Sequence, residues 1–324
     1  MSFPYLLFQA LSEEVSHFSQ SKLQKAYSEL TQLYRNNRIN IDNSLNSAEK
    51  RISYIAARMP ATFGAISRVL EEIDHETKEK ITSLLDLGAG PGTAAWAACE
   101  AFPNLTNVTL IEREVEMLLL GQRLAKENNI LKNANWLANS MEKAIKEANN
   151  TDLIVASYSF NEIPKDKKSV FLKDLWEKTN HILILVDPGS KESFSSLHEA
   201  RSWFLSQNAH ILAPCSHTST CPAFANNDWC HFSTRIQRSS LHRVLKEGER
   251  GFEDEKFSYL IISKQESHKL NSRIIRHPEM HSGHLKLQLC TAEGFVQKVY
   301  SKKNGDEYKK AKKSLWGDAW ELSH

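Results

Sequence analysis

The first group of residues that could do chemistry is a glycine turn behind a short apolar run. The run ends at Asp86, and an alanine-rich run with helical character begins at Thr93. Glycines let the backbone approach a ligand closely and take up positive φ, and a following helix presents free N–H groups. This stretch therefore predicts a strand, a tight turn and a helix start that bind a nucleotide-like ligand. The glycines alternate along the turn: Gly88, Gly90 and Gly92.

A second acidic residue follows the glycine turn at a spacing that suits ribose binding. Glu112 ends the β-branched run 107–112, about twenty residues past the glycines, where an acid at a strand end can accept hydrogen bonds from both ribose hydroxyls. The spacing G-x-G-x-G after Asp86 is not the G-x-G-x-x-G of dinucleotide folds. It resembles the opening motif of class I S-adenosylmethionine-dependent methyltransferases. The alternatives are a glycine turn in an ordinary α/β domain and a surface glutamate that opens a helix.

The second group is a polar stretch, residues 213–235, with three cysteines and two histidines within seventeen residues. Soft thiolates select zinc or iron–sulfur clusters, and either needs a fourth ligand, for which Cys290 at a predicted strand end is the candidate. Paired C-x-x-C motifs would indicate zinc, but this stretch lacks them. Its irregular cysteine spacings suit a cubane iron–sulfur cluster at least as well as zinc. Unligated cysteines are the third interpretation, and Cys99 is expected in the core. The clustered residues are Cys215, His217, Cys221, Cys230 and His231.

Strands that alternate with helices must position these residues. Apolar runs predict strands near residues 83–87, 107–112, 134–137, 151–157 and 181–186, which indicates a doubly wound, mainly parallel α/β sheet. Ligands of such sheets bind at the carboxyl ends of the strands. At that edge we predict cofactor binding by Asp86, Gly88, Gly90, Gly92, Thr93, Glu112, Ser140 and Ser157, and catalysis by Asn161 and Glu162, which would face the methyl group.

Around this sheet the sequence predicts three regions. Residues 1–78 form a helical preface, residues 79–205 the cofactor-binding domain, and residues 206–324 a cysteine-cluster loop and a basic, RNA-binding extension with a small β part that returns to the same sheet. Pro60, after Arg58, predicts a break between two helices, which either connects them or caps the cofactor site.

Composition limits the class of protein. The chain has 324 residues, 41% of them hydrophobic, and a net charge of +2, so it can bury a full core and carries no global field for nucleic acid. The start lacks a basic n-region, and no apolar run is long enough to span a membrane. Five cysteines, unevenly placed, do not make a secreted disulfide scaffold. We expect a cytoplasmic protein, if bacterial, or an organelle-matrix protein, with no membrane contact.

The end of the chain is locally basic. Seven lysines lie between Lys298 and Lys313, interleaved with Tyr300 and Tyr308 and followed by Trp316. Such a cluster predicts phosphate binding with base stacking, against the alternative of a solvated surface. A second basic group could extend that surface: Arg235, Arg238, His242, Arg243 and Lys246.

The loop after residue 157 restricts the reaction. An amino-methyltransferase usually carries Asn or Asp followed by Pro-Pro and an aromatic residue there, and this chain lacks that signature. A cytosine-carbon methyltransferase needs a nucleophilic cysteine. Cys215 and Cys221 superficially offer one, but they follow the wrong strand and lie only six residues apart.

Together these motifs resemble the Rsm-type family of methyltransferase-like small-ribosomal-subunit assembly proteins of bacteria and mitochondria. The resemblance runs from about residue 50 to the end and rests on matched segments: 58–62, 86–93, 187–189, 214–222, 228–232 and 308–320. It implies a class I fold with an S-adenosylmethionine site at the glycine turn. It also implies a four-iron four-sulfur cluster on Cys215, Cys221, Cys230 and Cys290. One departure is Ser216, where the family commonly has proline.

The resemblance also implies association with the small ribosomal subunit and its RNA, and ribosomal proteins are further candidate partners. Three hypotheses follow. The chain is a methyltransferase acting on ribosomal RNA, a non-catalytic assembly factor that binds that RNA, or a zinc-bearing RNA-binding module. The sequence leaves open the methylated nucleotide, the role of the cluster and the oligomeric state.

Overall fold

The structure is a computed structural model that describes residues 2–37, 45–238, 243, 245, 251–266 and 270–322. The chain divides into two compact units. The first unit comprises Met1–Ser157 with Thr234–Glu255, and the second comprises Tyr158–Ser233 with Lys256–His324. The three predicted regions, with boundaries at residues 78 and 205, stay a prediction about the organisation of the chain.

The first unit begins with helices, as the sequence predicted. They are α1 (Tyr5–Ser16), α2 (Gln20–Asn37), α3 (Ala48–Leu70) and α4 (His75–Lys80). Two of them begin at side-chain caps, since Ser47 accepts the N–H of Lys50 and Asp74 accepts the N–H of Thr77. Such caps satisfy N–H groups that have no partner within the helix.

The predicted helix break at Pro60 is wrong, because α3 runs through it without interruption. Proline inside a helix removes one hydrogen bond and costs about 3 kcal/mol. Its neighbours Met59, Ala61 and Phe63 are at most 2% exposed. Burying one large apolar side chain contributes about 1.5–3 kcal/mol. The burial of several such side chains along α3 therefore outweighs the cost of the proline. The adjacent Arg58 makes a two-bond ion pair with Glu255, at 2.8 and 3.0 Å.

A four-stranded parallel sheet follows in the first unit. Its elements are β1 (Ser83–Leu87), α5 (Thr93–Ala101), β2 (Asn107–Glu112), α6 (Val115–Leu124), β3 (Asn135–Ala138), α7 (Met141–Glu147) and β4 (Thr151–Ser157). The strand order is β3-β2-β1-β4, so Leu85 of β1 pairs with both Thr109 and Ile154. The chain winds outward to β3 and then returns beside β1, which confirms the doubly wound prediction. Ligands of such sheets bind where the order reverses, between β1 and β4.

The second unit opens with short 3-10 helices and continues into a mixed segment. The 3-10 helices are Phe160–Glu162 and Lys165–Lys167; the helices are α8 (Lys168–Lys178), α9 (Lys191–Ser206) and α10 (Pro222–Ala225); the strands are β5 (Thr179–Pro188) and β6 (His210–Ala213). Two further strands are divided between the units: β7 (Phe232–Gln237) belongs to the first unit from Thr234 onward, and β8 (Phe252–Ser263) belongs to it up to Glu255. β8 runs antiparallel to β5 and β6, so Ile262 faces Leu183 on one side and Ile211 on the other. These apolar pairs are fully buried.

The second unit also contains a small antiparallel sheet. It is built from β9 (Ser272–Ile274), β10 (Glu279–Met280), β11 (His284–Thr291), β12 (Gly294–Ser301) and β13 (Ala319–Trp320), with a 3-10 helix (Lys302–Asn304) and α11 (Asp306–Lys313). β11 alternates, because Leu285, Leu287 and Leu289 are fully buried and the residues between them are not. One face of this sheet therefore forms a core, and the other presents polar side chains.

Two of the three aromatic residues near the lysines are buried, so the prediction that they stack on bases is wrong for them. Tyr300 and Trp316 are 7% and 8% exposed. The Tyr300 hydroxyl accepts the indole N–H of Trp320 at 2.9 Å. Tyr308 is half-buried and packs against the core of the small sheet. The seven lysines themselves are exposed.

The second basic group is partly neutralised. Arg235 pairs with Asp254 at 2.7 Å, and Arg238 pairs with Glu253 at 2.9 Å. Arg243 is exposed, and the other two members, His242 and Lys246, lie outside the described residues. Of the helices described, none is long and apolar enough to cross a membrane.

Candidate cofactor corner and cysteine pocket

The glycine turn of the first unit is held by the acid at the end of β2. All three glycines have positive φ, and Gly92 is the N-cap of α5. One carboxylate oxygen of Glu112 accepts the N–H of Gly90 at 2.8 Å, and the other accepts the N–H of Glu114 at 2.8 Å. Burial raises the pKa of Glu112, while these N–H groups oppose the rise. Each carboxylate oxygen can accept a second hydrogen bond, so Glu112 keeps the capacity to bind ribose hydroxyls.

A buried carboxyl group lies beneath the turn. Asp86 is 0% exposed, and neither of its oxygens has a hydrogen-bond partner within the part of the chain that the structure describes. Burial raises its pKa to about 7, helped by the charge of Glu112 and opposed by the nearby N–H of Ala95. A buried polar group without a partner is costly, and a ligand or ordered water that donates to it would relieve the cost.

The space around the turn differs from glycine to glycine. A Cβ on Gly90 would meet nothing within 4 Å, so this residue faces open space. A Cβ on Gly92 would lie 2.9 Å from the ring of Trp136, and one on Gly121 would lie 2.6 Å from the same ring. Trp136 therefore fixes the far side of the turn. Sequence reasoning missed it, because a tryptophan in a short strand has no motif.

The other predicted cofactor residues of this unit lie at the carboxyl edge of the sheet. Thr93 is the first residue of α5, and Ser157 is the last residue of β4, where Ala156 pairs with Leu87. Ser140 caps α7 by accepting the N–H of Lys143 at 3.4 Å. The structure thus brings these residues and the glycine turn to one edge. Their binding roles stay predictions.

The predicted catalytic pair belongs to the second unit. Asn161 and Glu162 are exposed on the 3-10 helix after Ser159. Beside them is Asp187 at the end of β5, 0% exposed, to which the backbone N–H of Asn161 is directed. Burial raises the pKa of Asp187 to about 8, although that N–H and the charge of Lys168 oppose the shift. Asp187 was not among the predicted site residues, because its burial depends on tertiary packing.

The buried carboxyl Asp86 predicts a pH dependence of stability. Its folded-state pKa of about 7 exceeds the ordinary 3.8, so the folded chain binds more protons than the unfolded chain between these values. The free energy of unfolding therefore falls as pH rises from about 4 to about 7 and then levels off. We expect Asp86→Asn to make the free energy of unfolding less dependent on pH. The part of the dependence that Asp187 causes should remain. Urea midpoints at about pH 5 and about pH 8 measure this dependence.

The matched control is Asp166→Asn at an exposed position, which should leave the pH dependence unchanged. An Asp86→Asn variant whose midpoints fall between the two pH values as steeply as those of the unsubstituted chain would contradict the role given to this carboxyl.

Four cysteines of the second unit line one cavity of about 50 Å³. Each comes from a different element, since Cys215 follows β6, Cys221 is the N-cap of α10, Cys230 precedes β7 and Cys290 lies near the end of β11. The loop around Cys230 is held at its backbone: the Ser258 hydroxyl donates to the Cys230 carbonyl at 2.9 Å. The structure thus brings together the four residues that the sequence separated by up to 75 positions.

Burial and charge around the cavity act on its thiols in opposite directions. Burial raises the pKa of Cys290 to about 12 and that of Cys230 well above its ordinary value, and the neighbouring thiols add to both shifts. Arg201 and Arg273 oppose these shifts. The Arg201 Nε is buried without a hydrogen-bond partner among the described residues. Two buried arginines and several thiols suit an anionic group at this position, and sequence reasoning missed both arginines because they lie outside the cysteine stretch.

Two further groups shape the wall of the cavity. The His217 Nε2 lies 3.5 Å from the Cys290 Sγ. Arg201 donates to the carbonyls of His217 and Ser219, and Arg273 donates to those of Pro214 and Gly317, at 2.7–3.1 Å. Each arginine therefore ties the cysteine stretch to the rest of the second unit.

Zinc and a cubane cluster would need different spacings of the four sulfurs. Within the described residues, no three His, Cys, Asp or Glu side chains are grouped closely enough to hold one metal ion. A tetrahedral zinc with Zn–S bonds of about 2.3 Å would bring its sulfurs to about 3.8 Å from each other. A cubane distributes its thiolates over four irons, so they lie farther apart.

The fold and the corner define a class of protein. A parallel sheet in the order β3-β2-β1-β4, with a glycine turn after β1 and an acid ending β2, is the Rossmann-like α/β arrangement of class I methyltransferases. The chain belongs to the family described as mitochondrial small ribosomal subunit Rsm22, which it matches over residues 48–321. The match includes the glycine turn and all four cysteines of the pocket. The resemblance to the Rsm-type family is thereby confirmed.

Individual relatives share about a quarter of their residues with this chain. The human ribosome assembly protein METTL17, mitochondrial, is 27% identical over 288 residues, which cover 82% of this chain and 61% of METTL17. The Rsm22-cox11 tandem protein 2, mitochondrial, of Schizosaccharomyces pombe is 25% identical over 84% of this chain and 43% of its own length. The chain thus spans less than two thirds of either relative.

Among solved structures, magnesium protoporphyrin IX methyltransferase from Synechocystis PCC 6803 aligns with 74% of this chain and 97% of its own. The identity is 12% and the TM-score is 0.41. A similarity at this level adds nothing to the class that the strand order defines.

Proposed function

We propose that this chain is an S-adenosylmethionine-binding, iron–sulfur methyltransferase-like protein that acts in the assembly of the small ribosomal subunit. The observation that carries the proposal is the family match over residues 48–321, which includes both the glycine corner and the cysteine pocket. The human relative is a mitochondrial ribosome assembly protein by name. We propose the same process for this chain, in an organelle matrix rather than the cytoplasm.

The cofactor is proposed to lie at the corner of the first unit. Gly90 leaves room for it, Glu112 would accept hydrogen bonds from its ribose, and Asp86 would interact with its positive end. Bound S-adenosylmethionine supplies an electrophilic methyl group. If the chain is an enzyme, Asn161 and Glu162 are the residues proposed to position the acceptor.

The cysteine pocket is proposed to hold a four-iron four-sulfur cluster on Cys215, Cys221, Cys230 and Cys290. The supporting observations are the thiol donor set, the shared cavity and the two buried arginines beside it. Zinc is the alternative, and it would require the sulfurs to move closer together. In either case the metal group would join α10, β11 and the loop before β7, so its first role is structural.

Ribosomal RNA of the small subunit is the proposed partner, with ribosomal proteins as additional contacts. The exposed lysines of α11 and of the segment before it provide a surface for phosphates. A non-catalytic assembly factor would use the same surface. That second function is favoured by the loop after Ser157, which lacks the nitrogen-methylation signature.

One experiment tests the proposal. Cluster-loaded protein is sedimented with assembly-stage small subunits in the presence of methyl-labelled S-adenosylmethionine. We expect co-sedimentation, which Lys309→Glu combined with Lys312→Glu should weaken, because a lysine that no longer neutralises a phosphate no longer contributes to affinity at a given salt concentration. The matched control is Lys143→Glu with Lys146→Glu, which changes two exposed lysines of α7.

The outcomes separate the hypotheses. Transfer of label to subunit RNA supports the enzyme, and co-sedimentation without transfer supports the non-catalytic factor. A protein that fails to co-sediment with any assembly-stage subunit contradicts the proposed function in both forms.

A further inference from the structure

A second, polar cavity lies on the small sheet of the second unit, and neither the cofactor nor the cluster uses it. Its volume is about 160 Å³. One water needs roughly 15 Å³ on this measure, so the cavity has room for a group as large as an aromatic heterocycle. Its walls include Arg276, His277, Lys286, Gln288, Phe295 and Gln297.

Two glutamines stand side by side in this cavity. Gln288 of β11 and Gln297 of β12 are directly paired across the strands, so their Cβ atoms are about 5 Å apart on the same face. Neither side-chain amide hydrogen-bonds to another residue in the described part of the chain. Each amide presents one acceptor and two donor hydrogens. The two amides therefore present donors and acceptors in a row that make no hydrogen bonds within the described part of the protein.

An aromatic side chain forms the adjacent wall. Phe295 is half-buried, next but one to Gln297 on the same face of β12, and it packs against the buried cluster of Phe194, Cys221 and Ala223. Packing of this kind keeps a ring in place. A fixed ring beside a row of amides is an arrangement on which a flat heterocycle can stack while its edge is hydrogen-bonded.

Two cations line the cavity together with the two acids that pair with them. Arg276 is ion-paired with Asp228, and Lys286 lies 3.9 Å from Glu279. His277 packs edge-on against Trp316, with ring centroids 4.8 Å apart. Arg276 also donates through Nη1 to the carbonyl of Ile275 at 2.7 Å, whereas Lys286, with three donor hydrogens and an acid only at 3.9 Å, can still meet an anion at the rim. The cavity thus combines amides for a base edge, a ring for its face and cations for a phosphate.

We infer that this cavity binds the base of one unpaired purine nucleotide of an RNA strand, with adenine preferred. Glutamine can bind the adenine edge with two hydrogen bonds, accepting from the amino group and donating to the ring nitrogen. The neighbouring phosphate lies on the rim formed by Arg276 and Lys286. This inference rests on the proposed association with ribosomal RNA, and it adds recognition of a base to a surface otherwise suited only to phosphates.

The test compares binding of two fluorescent oligonucleotides of about twelve units, an oligoadenylate and an abasic ribose-phosphate chain of equal length, to the full protein at one salt concentration. We expect the oligoadenylate to bind about tenfold more tightly, since a bidentate base contact contributes about 1–3 kcal/mol. Gln288→Leu with Gln297→Leu should reduce that preference to the part that stacking on Phe295 supplies, and should leave binding of the abasic chain unchanged. The matched control is Gln237→Leu, an exposed strand glutamine of the first unit.

A second variant distinguishes loss of the base contact from misfolding. Gln288→Glu keeps the size and polarity of the side chain but replaces its amide donor by an acceptor, so it should reduce the adenine preference in a protein whose thermal unfolding is unchanged. Equal binding of the two oligonucleotides by the unsubstituted chain would overturn the inference, and so would a double leucine variant that keeps the whole preference. Neither result depends on co-sedimentation with the small subunit, so the proposed function is judged separately.

Discussion

Replacing Cys230 by alanine is expected to abolish iron binding and the broad visible absorbance of anaerobically purified protein. Cys230 is the thiol whose pKa burial and the other three cysteines raise most clearly, so without a metal group it is a buried neutral thiol among other thiols. A metal lowers the pKa of its thiol ligands by binding the thiolate. Because binding a metal also stabilises the fold around it, loss of one ligand should also lower the melting temperature by several degrees.

The matched control is Cys99→Ala. Cys99 lies on α5 in the first unit, and burial raises its pKa to about 12. This variant should keep iron, colour and labile sulfide, although it loses some core packing. Metal analysis by mass spectrometry and absorbance spectra give the readout. A colourless protein that contains stoichiometric zinc, and loses it on substitution of Cys230, would contradict the cluster and support the zinc alternative.

Replacing Gly90 by alanine is expected to lower the affinity for S-adenosylmethionine by about tenfold or more, which corresponds to at least about 1.4 kcal/mol. Gly90 has a φ of +54° and faces open space at the turn. A methyl group there would stand in the space proposed for the cofactor. It would also strain the backbone by about 1–2 kcal/mol and disturb the N–H that Glu112 accepts. Calorimetric titration with S-adenosylmethionine measures the loss.

The control for backbone strain is Gly283→Ala. Gly283 also has a positive φ, +91°, and also faces open space, but it lies in the second unit before β11. The two variants should lose similar unfolding free energy, whereas only Gly90→Ala should lose cofactor binding. Gly92→Ala should be the least stable of the three, since its new methyl group would lie 2.9 Å from the Trp136 ring. Equal cofactor affinity in the Gly90 and Gly283 variants would argue against a site at this turn.

The parts of the fold that sequence predicted well are those with local causes. The strand that ends at Glu112 and the helix that begins at Thr93 appear where they were predicted. Alternation of apolar residues and the turn preference of glycine act over a few residues, so the sequence reveals them directly. The helix break predicted at Pro60 was wrong because a non-local effect decided the outcome. The local cost of the proline is real, but burial of the surrounding helix outweighs it.

The aromatic residues of the basic end show the same limit. The spacing of lysines with Tyr300 and Trp316 is typical of an RNA surface, but Tyr300 lies in the core of the small sheet and Trp316 is buried against the rings of His231 and His277. A sequence shows that an aromatic residue is near lysines, and it does not show which face of a strand or helix the ring occupies. The partner of Tyr300 is Trp320, and that pairing depends on where α11 and β13 lie.

The sequence by itself determined the glycine turn, its acid Glu112 and the family resemblance, and it singled out the four cysteines proposed as ligands, because each depends on residue type and spacing. Only the tertiary structure showed that Asp86 is a buried carboxyl with no hydrogen-bond partner among the described residues, and that Trp136 closes one side of the turn. It alone placed Arg201 and Arg273 beside the thiols and Gln288 opposite Gln297. The physical reason is that burial, pKa shifts and cavities arise from residues distant in the chain.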